Sequence, residues 1–171
     1  MGADWQYFDI KVPKELSDED KLALSEDVIE YIRKRTEANK DNTGKRFKYN
    51  EYSKSYAKSL DFKIAGKSAG DVNLTQTGDM LADIETLKIK DGEIRIGFER
   101  GSESNAKADG HITGWQGRSK VKRPFLGFEG SKEKKELDNI IKKHVKSDLS
   151  GKDELKALAW LGSKYAKKVK K

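Results

Sequence analysis

Apolar positions along the chain fall into short blocks whose spacing alternates between strand-like and helix-like. Trp5 to Val12 alternates in part, with Trp5, Tyr7 and Val12 set against Phe8 and Ile10, and is predicted to be a short strand or arm ending at Pro13. Ser17 followed by Asp18, Glu19 and Asp20 is a helix start, because a serine hydroxyl and early acids suit the free N–H groups of a first turn. Leu22, Val28, Ile29, Tyr31 and Ile32 then recur at helical spacing and predict a helix over roughly 18–37, broken by the polar stretch 39–44. A second, shorter helix is expected over 47–59, with Tyr49, Tyr52 and Tyr56 on one face as core or as a ligand platform. Residues 63–71 contain Gly66 and Gly70 and predict a loop, and in 72–81 a capping threonine precedes a short apolar helix.

The clearest local pattern follows. Leu87 and Ile89 alternate, Asp91-Gly92 makes a tight turn, and Ile94, Ile96 and Phe98 alternate back, which predicts a β-hairpin with one buried face. Residues 101–120 show no periodicity and carry four scattered glycines, so they are expected to form a long loop. Val121 to Phe128 is apolar, with Pro124 restricting it to an edge strand or strand start. Ser131 is expected to cap a helix with the stripe Leu137, Ile140, Ile141, His144 and Val145. Ser150 opens a last helix, with Asp153 in the capping-box position and the stripe Leu155, Leu158, Ala159, Gly162, Tyr165, Ala166 and Val169. The expected fold is α+β: a small antiparallel sheet with a hairpin, packed against two to four helices, and a long glycine-containing loop. Residues 1–148 are read as one domain and 149–171 as a basic helical extension.

Composition narrows the class. Leu, Ile, Val and Phe together number 36 of 171 residues, while charged residues reach 38%, so a modest core carries a heavily charged surface. No cysteine is present, which excludes disulfides, thiolate nucleophiles and cysteine-based zinc sites. No apolar run approaches the ~20 residues that span a bilayer. The start of the chain lacks a basic segment followed by an apolar one, so no secretory leader is expected. A protein kept in a reducing compartment follows from these features. The net charge of +7 lies wholly in residues 131–171, where 13 lysines face six acids. Lys164, Lys167, Lys168, Lys170 and Lys171 mark its peak, and such a tail suits DNA, an acidic protein surface, or simply solvent at a helix end.

Candidate chemistry is sparse. His111 lies in the glycine-rich stretch and His144 on an apolar helix face, and neither has a second histidine or a cysteine nearby in sequence to complete a metal or nucleophile site. Asp79 or Asp83 ahead of Glu93-Ile94-Arg95 resembles a Mg²⁺-holding nuclease arrangement only loosely, with Arg95 where a lysine is expected and Glu93 in the turn. The residues thus give no catalytic set, metal site or cofactor site. A sequence-independent DNA-binding protein acting through the basic C-terminal helix, with Trp160 and Tyr165 nearby, is the alternative reading.

Three segments bring in a resemblance. Tyr52-Ser53-Lys54-Ser55-Tyr56 followed by Leu74-Thr75-Gln76-Thr77-Gly78-Asp79-Met80-Leu81 is similar to a leucine-threonine-x-threonine-glycine helix start. His111-Ile112-Thr113-Gly114 resembles a histidine-x-x-glycine loop, and Arg123-Pro124-Phe125-Leu126-Gly127 an arginine-proline-phenylalanine-leucine-glycine strand. In order and spacing, over roughly residues 45–147, they resemble the bacteriophage virion-morphogenesis family of head–tail joining, neck or tail-completion proteins. Ala108-Asp109-Gly110 stands where the family often has a tyrosine-alanine pair before the loop histidine.

That resemblance implies a non-enzymatic virion component of the neck and tail region, present in the host cytoplasm during assembly. It implies a homo-oligomeric ring, a hexamer, between portal, neck adaptor or stopper proteins and the tail terminator or tail-tube protein. DNA in the channel is a further possible partner and a membrane is not. Tail-completion and tail-terminator roles both fit. The expected contact elements are the hairpin at Asp91 and Gly92, the 101–120 loop with His111 and Trp115, and the 123–127 strand with Arg123 and Phe125. Trp115 is either an interface anchor or folded back on its own core. The terminal lysines would then face DNA or an acidic partner.

Overall fold

Strand, first helix and hairpin form where the spacing predicts them, and several of the short helices start on a serine. The computed structural model describes residues 2–47, 52–67, 70, 74, 79–115 and 120–166, with side chains for all but 79 and 164–166. In chain order its elements are β1 (Tyr7–Lys11), α1 (Asp18–Glu37), α2 (Lys54–Ala57), α3 (Leu60–Ile64), α4 (Asp79–Ala82), β2 (Glu85–Lys90), β3 (Glu93–Gly97), α5 (Glu103–Thr113), α6 (Gly130–Asp148) and α7 (Gly151–Ala166). The fold is α+β, with three antiparallel strands in the order β1-β3-β2 and, among the described residues, seven helices.

The sheet has one apolar face because its inward residues alternate. Ile94 of the central strand lies opposite Ile10 on one side and Ile89 on the other, and Ile96 lies opposite Phe8 and Thr86. A bulge at Leu87 shifts the register between Thr86 and Lys88, so Thr86 faces inward with Ile89. α1 covers this face, and the Ser25 and Thr86 hydroxyls meet at 2.5 Å. α1 begins as expected: Ser17 and Asp20 form a reciprocal capping box. Its buried residues Leu24, Val28, Ile29 and Ile32 pack on the sheet and on α6. α7 packs on α6, with Ala157 and Leu161 in the same apolar cluster as the sheet.

Five expectations are corrected. Residues 103–113 of the expected long loop are a helix, α5. Its buried face is Ser104, Asn105, Ala108 and Gly110, small and polar residues that produce no apolar periodicity. Asn105 accepts from Gln6 N at 2.8 Å and donates to Asp4 O at 3.0 Å, and Ser104 donates to Asp83 at 2.5 Å. The single helix expected over 47–59 is instead two short ones, α2 and α3, each capped by a serine, Ser53 and Ser59; residues 48–51, with Tyr49, lie outside the described residues. α6 starts at Gly130, ahead of Ser131, with no side-chain cap. In α7 the buried side is Ala157 and Leu161, while Leu155, Ala159 and Gly162 are exposed. Its apolar residues span a wide arc, so contact with α6 alone selects which of them are covered.

The fifth correction concerns 121–128, which is buried over 125–128 but is not a strand. Its carbonyls are claimed from elsewhere. Pro124 O accepts from Asn42 N at 2.8 Å and Leu126 O from Asn42 Nδ2 at 3.2 Å. Phe125 O and Gly127 O both accept from Arg35 Nη2, at 2.6 and 2.8 Å. Arg35 is itself buried, and its Nη1 donates to the buried Glu133 carboxylate at 2.7 Å. Tyr31 donates to the same carboxylate, and burial first, then the Glu133 charge, pushes its hydroxyl up to about 12. A Cβ on Gly44, whose φ is +75°, would sit 2.3 Å from Glu133 Oε1, so the close approach of this loop requires glycine.

Replacing Arg35 strands a buried carboxylate and frees two buried carbonyls. Arg35→Ala is expected to cost ~3–5 kcal/mol in urea denaturation. Gly44→Ala is expected to destabilise the chain as well, by displacing Glu133 from Arg35.

Candidate functional site

Two of the residues singled out in sequence, His111 and Arg123, are brought together by the end of α5. Gly114 stops that helix in the left-handed conformation, with φ +82°. The chain returns so closely that a Cβ on Gly114 would meet Lys120 O at 2.8 Å. Arg123 N then donates to His111 O at 2.7 Å. On the other side stand α2 and α3. Their caps turn Tyr52, Tyr56 and Phe62 into a three-ring cluster with centroids 5.2–5.3 Å apart. Lys67, just after α3, donates to Tyr52 Oη at 3.1 Å with its ammonium 5.1 Å from that ring's centroid.

The niche is rich in donors and cations. Burial, reinforced by the charges of Arg123 and Lys67, drives the His111 pKa down to about 4, so its imidazole is neutral at pH 7. Burial also lowers the pKa of Lys67 and of Arg123, opposed in the latter by Tyr52. Burial raises that of Tyr56, with Tyr52 and Asp61 adding to it. Tyr56 Oη, His111 Nδ1 and Arg123 Nε are buried without a hydrogen-bond partner. With Arg35 Nε, they are the buried polar atoms so placed among the described residues. No carboxylate among the described residues forms an ion pair with Lys67 or Arg123. The arrangement can donate hydrogen bonds and positive charge.

The nuclease-like set does not assemble among the described residues. Glu93 pairs with Lys11. Arg95 makes a two-pronged pair with Asp9, at 2.8 and 3.0 Å, and lies over the Tyr7 ring. Asp83 accepts from Ser104. The Asp79 side chain lies outside the described residues. No group of three histidine, aspartate or glutamate side chains converges among those described.

The remaining expected contact residues are dispersed. Asp91 and Gly92 form the hairpin turn beside Lys14, and Asp91 is exposed. Trp115 is 84% exposed and does not fold back on the core. Phe125 is fully buried, edge-on to Phe98 with centroids 6.3 Å apart, and so offers no surface to a neighbour; the expectation of an interface role for it is corrected. His144 is held between Asp27, at 2.9 Å, and Asp148, at 3.0 Å, linking α6 to α1. The Lys164 side chain and residues Lys167, Lys168, Lys170 and Lys171 lie outside the described residues. No helix among the described residues is long and apolar enough to cross a membrane. Lys67 was missed in the sequence because nothing distinguishes one lysine among 36 lysines and arginines.

The half-buried His111 imidazole sets a pH dependence. An unfolded chain takes up a proton at this histidine below about pH 6.5, whereas the folded chain resists until about 4. Stability from this group is therefore complete above pH 6.5 and falls as the pH drops towards 4, by at most ~3 kcal/mol. Urea denaturation at pH 7 and 4.5 is expected to show this loss in the native chain and a smaller one in His111→Gln. Compared with family models, curated proteins and solved structures, the chain matches none of them.

Proposed function

We propose that this chain is a structural component of a bacteriophage virion, a head–tail joining subunit that assembles with its own copies as a ring between portal-side neck proteins and the tail. One observation carries the reading. Segments that bear the resemblance and lie far apart in the chain are brought together: His111 is bonded through its carbonyl to the backbone of Arg123, the charge of Lys67, bonded to Tyr52, bears on His111, and α4, with Met80 and Leu81, packs on α5, the helix that carries His111. Beside these segments the chain exposes large apolar side chains, Leu60 at 71% and Ile64 at 75% one turn apart on α3, and Trp115. Such side chains are costly to leave in water and suit a face covered by a neighbouring copy. In this reading the subunit works by fitting its neighbours and carries no reaction.

Antibody labelling of particles released by the strain that carries the gene is expected to concentrate at the head–tail junction. Absence of the protein from purified particles would overturn the proposal. Trp115→Ser is expected to lower the yield of joined particles while leaving the unfolding midpoint unchanged, since the ring is exposed.

A second reading, sequence-independent DNA binding, is supported by Lys135, Lys142 and Lys146 along one side of α6, where, with one acid, Asp138, they line a groove together with Leu158 and Leu161 of α7. Reversing all three lysines to glutamate is expected to weaken binding to any short duplex. The log–log salt slope should fall by about 3, at ~0.9 for each phosphate that a lysine no longer neutralises. No binding of the native chain to duplexes of unrelated sequence would retire this reading.

A further inference from the structure

We propose that the niche formed by Lys67, Arg123, His111 and Tyr56 is a binding site for a small oxyanion, a carboxylate or phosphate group. The inference does not rest on the assembly reading. It begins with charge. Arg123 is bonded through its backbone to His111 at 2.7 Å, and Lys67 is bonded to Tyr52, whose ring lies 5.3 Å from that of Tyr56. The charges of both cations bear on the His111 imidazole, and burial disfavours the charged form of both. Removing a charge from water without a counter-charge is costly, and both cations are partly withdrawn from water. Here neither cation has an acidic partner among the described residues. The charge of Asp61 acts on Tyr56.

The unpartnered atoms point the same way. Arg123 Nε–H can only donate. The Tyr56 hydroxyl and a neutral His111 bearing its proton on Nδ1 can each donate as well. Lys67 spends one ammonium hydrogen on Tyr52 and retains two more. A buried water could satisfy some of these hydrogen bonds, but it brings no negative charge to the two cations. An oxyanion answers both needs, through charge-assisted hydrogen bonds from ammonium and guanidinium. The rings of Tyr52, Tyr56 and Phe62 form an apolar wall that keeps the local dielectric low. A carboxylate could come from a side chain of another protein copy, or phosphate from solution, and the chemistry is shared.

The chain has two histidines, so the imidazole signals of His111 can be followed by NMR in the full-length protein and assigned with His144→Gln. Titration with inorganic phosphate and with acetate, each against chloride at equal ionic strength, separates binding from screening. We expect a saturable shift of His111 with no matching shift of His144. A response to both anions assigns a general carboxylate-type site, and a response to phosphate alone assigns a tetrahedral one. Lys67→Gln, at a partly exposed loop position that should fold normally, is expected to weaken binding about 10-fold or more. Arg123→Gln is expected to abolish it. If His111 responds equally to chloride, or to none of the three, the proposal is overturned.

Discussion

The Arg35 guanidinium holds together parts of the chain that have no regular structure to hold them. From the last turns of α1 it binds the Glu133 carboxylate of α6 and the carbonyls of Phe125 and Gly127. It also lies against the rings of Tyr31 and Phe128. A buried charge cannot fall back on water, so it is very costly unless its charge is paired, and here Nη1 and Nη2 are both engaged while Nε is left without a partner. Engaged, it substitutes for the missing strand partner of residues 121–128. Planar, multiply donating geometry makes this possible for arginine and not for lysine. Arg33, two positions earlier in the same helix, does the same for the carbonyls of Leu81, Ala82 and Ile84. α1 therefore supplies an apolar stripe to the sheet and two guanidinium clamps to the loops.

The niche is built on that clamp. Only one residue, Pro124, separates Arg123 from Phe125, whose carbonyl Arg35 holds. Fixing 125–127 fixes where Arg123 begins, and its amide hydrogen bond to His111 ties it to the end of α5. α5 is in turn fastened through Asn105 and Asp109 to Asp4 and Gln6, in the segment just ahead of β1. Polar side chains bonded to backbone thus take over much of the role that apolar contacts have in richer cores. This accords with a sequence in which charged residues outnumber the large aliphatic ones.

Local features were legible in the sequence wherever the signal and the structure have the same range. The helix over 18–37, its serine cap and acidic first turn, and the hairpin at Asp91-Gly92 depend on residues within a few positions of one another. α5 was not legible as an amphipathic helix because its buried face is serine, asparagine, alanine and glycine. Its end signals, Ser102 as N-cap and the left-handed Gly114, were present all the same. Of the niche, His111, Arg123 and the two tyrosines could be singled out by type, and Lys67 could not.

The sequence by itself determined the first helix, the hairpin and the two C-terminal helices, that the core would be small, and that the positive charge would gather at the C-terminal end. Those properties follow from spacing and composition. Only the tertiary structure decided that residues 121–128 run as irregular backbone, that Phe125 belongs to the core, and which side of α7 is covered. It also decided that the charges of two cations from distant segments, Lys67 and Arg123, bear on one imidazole, with neither ion-paired to a carboxylate among the described residues. These outcomes depend on partners far away in the chain, such as Glu133 for Arg35 or Lys67 for His111. A carbonyl or a guanidinium carries no mark in the sequence of which distant group will bond to it.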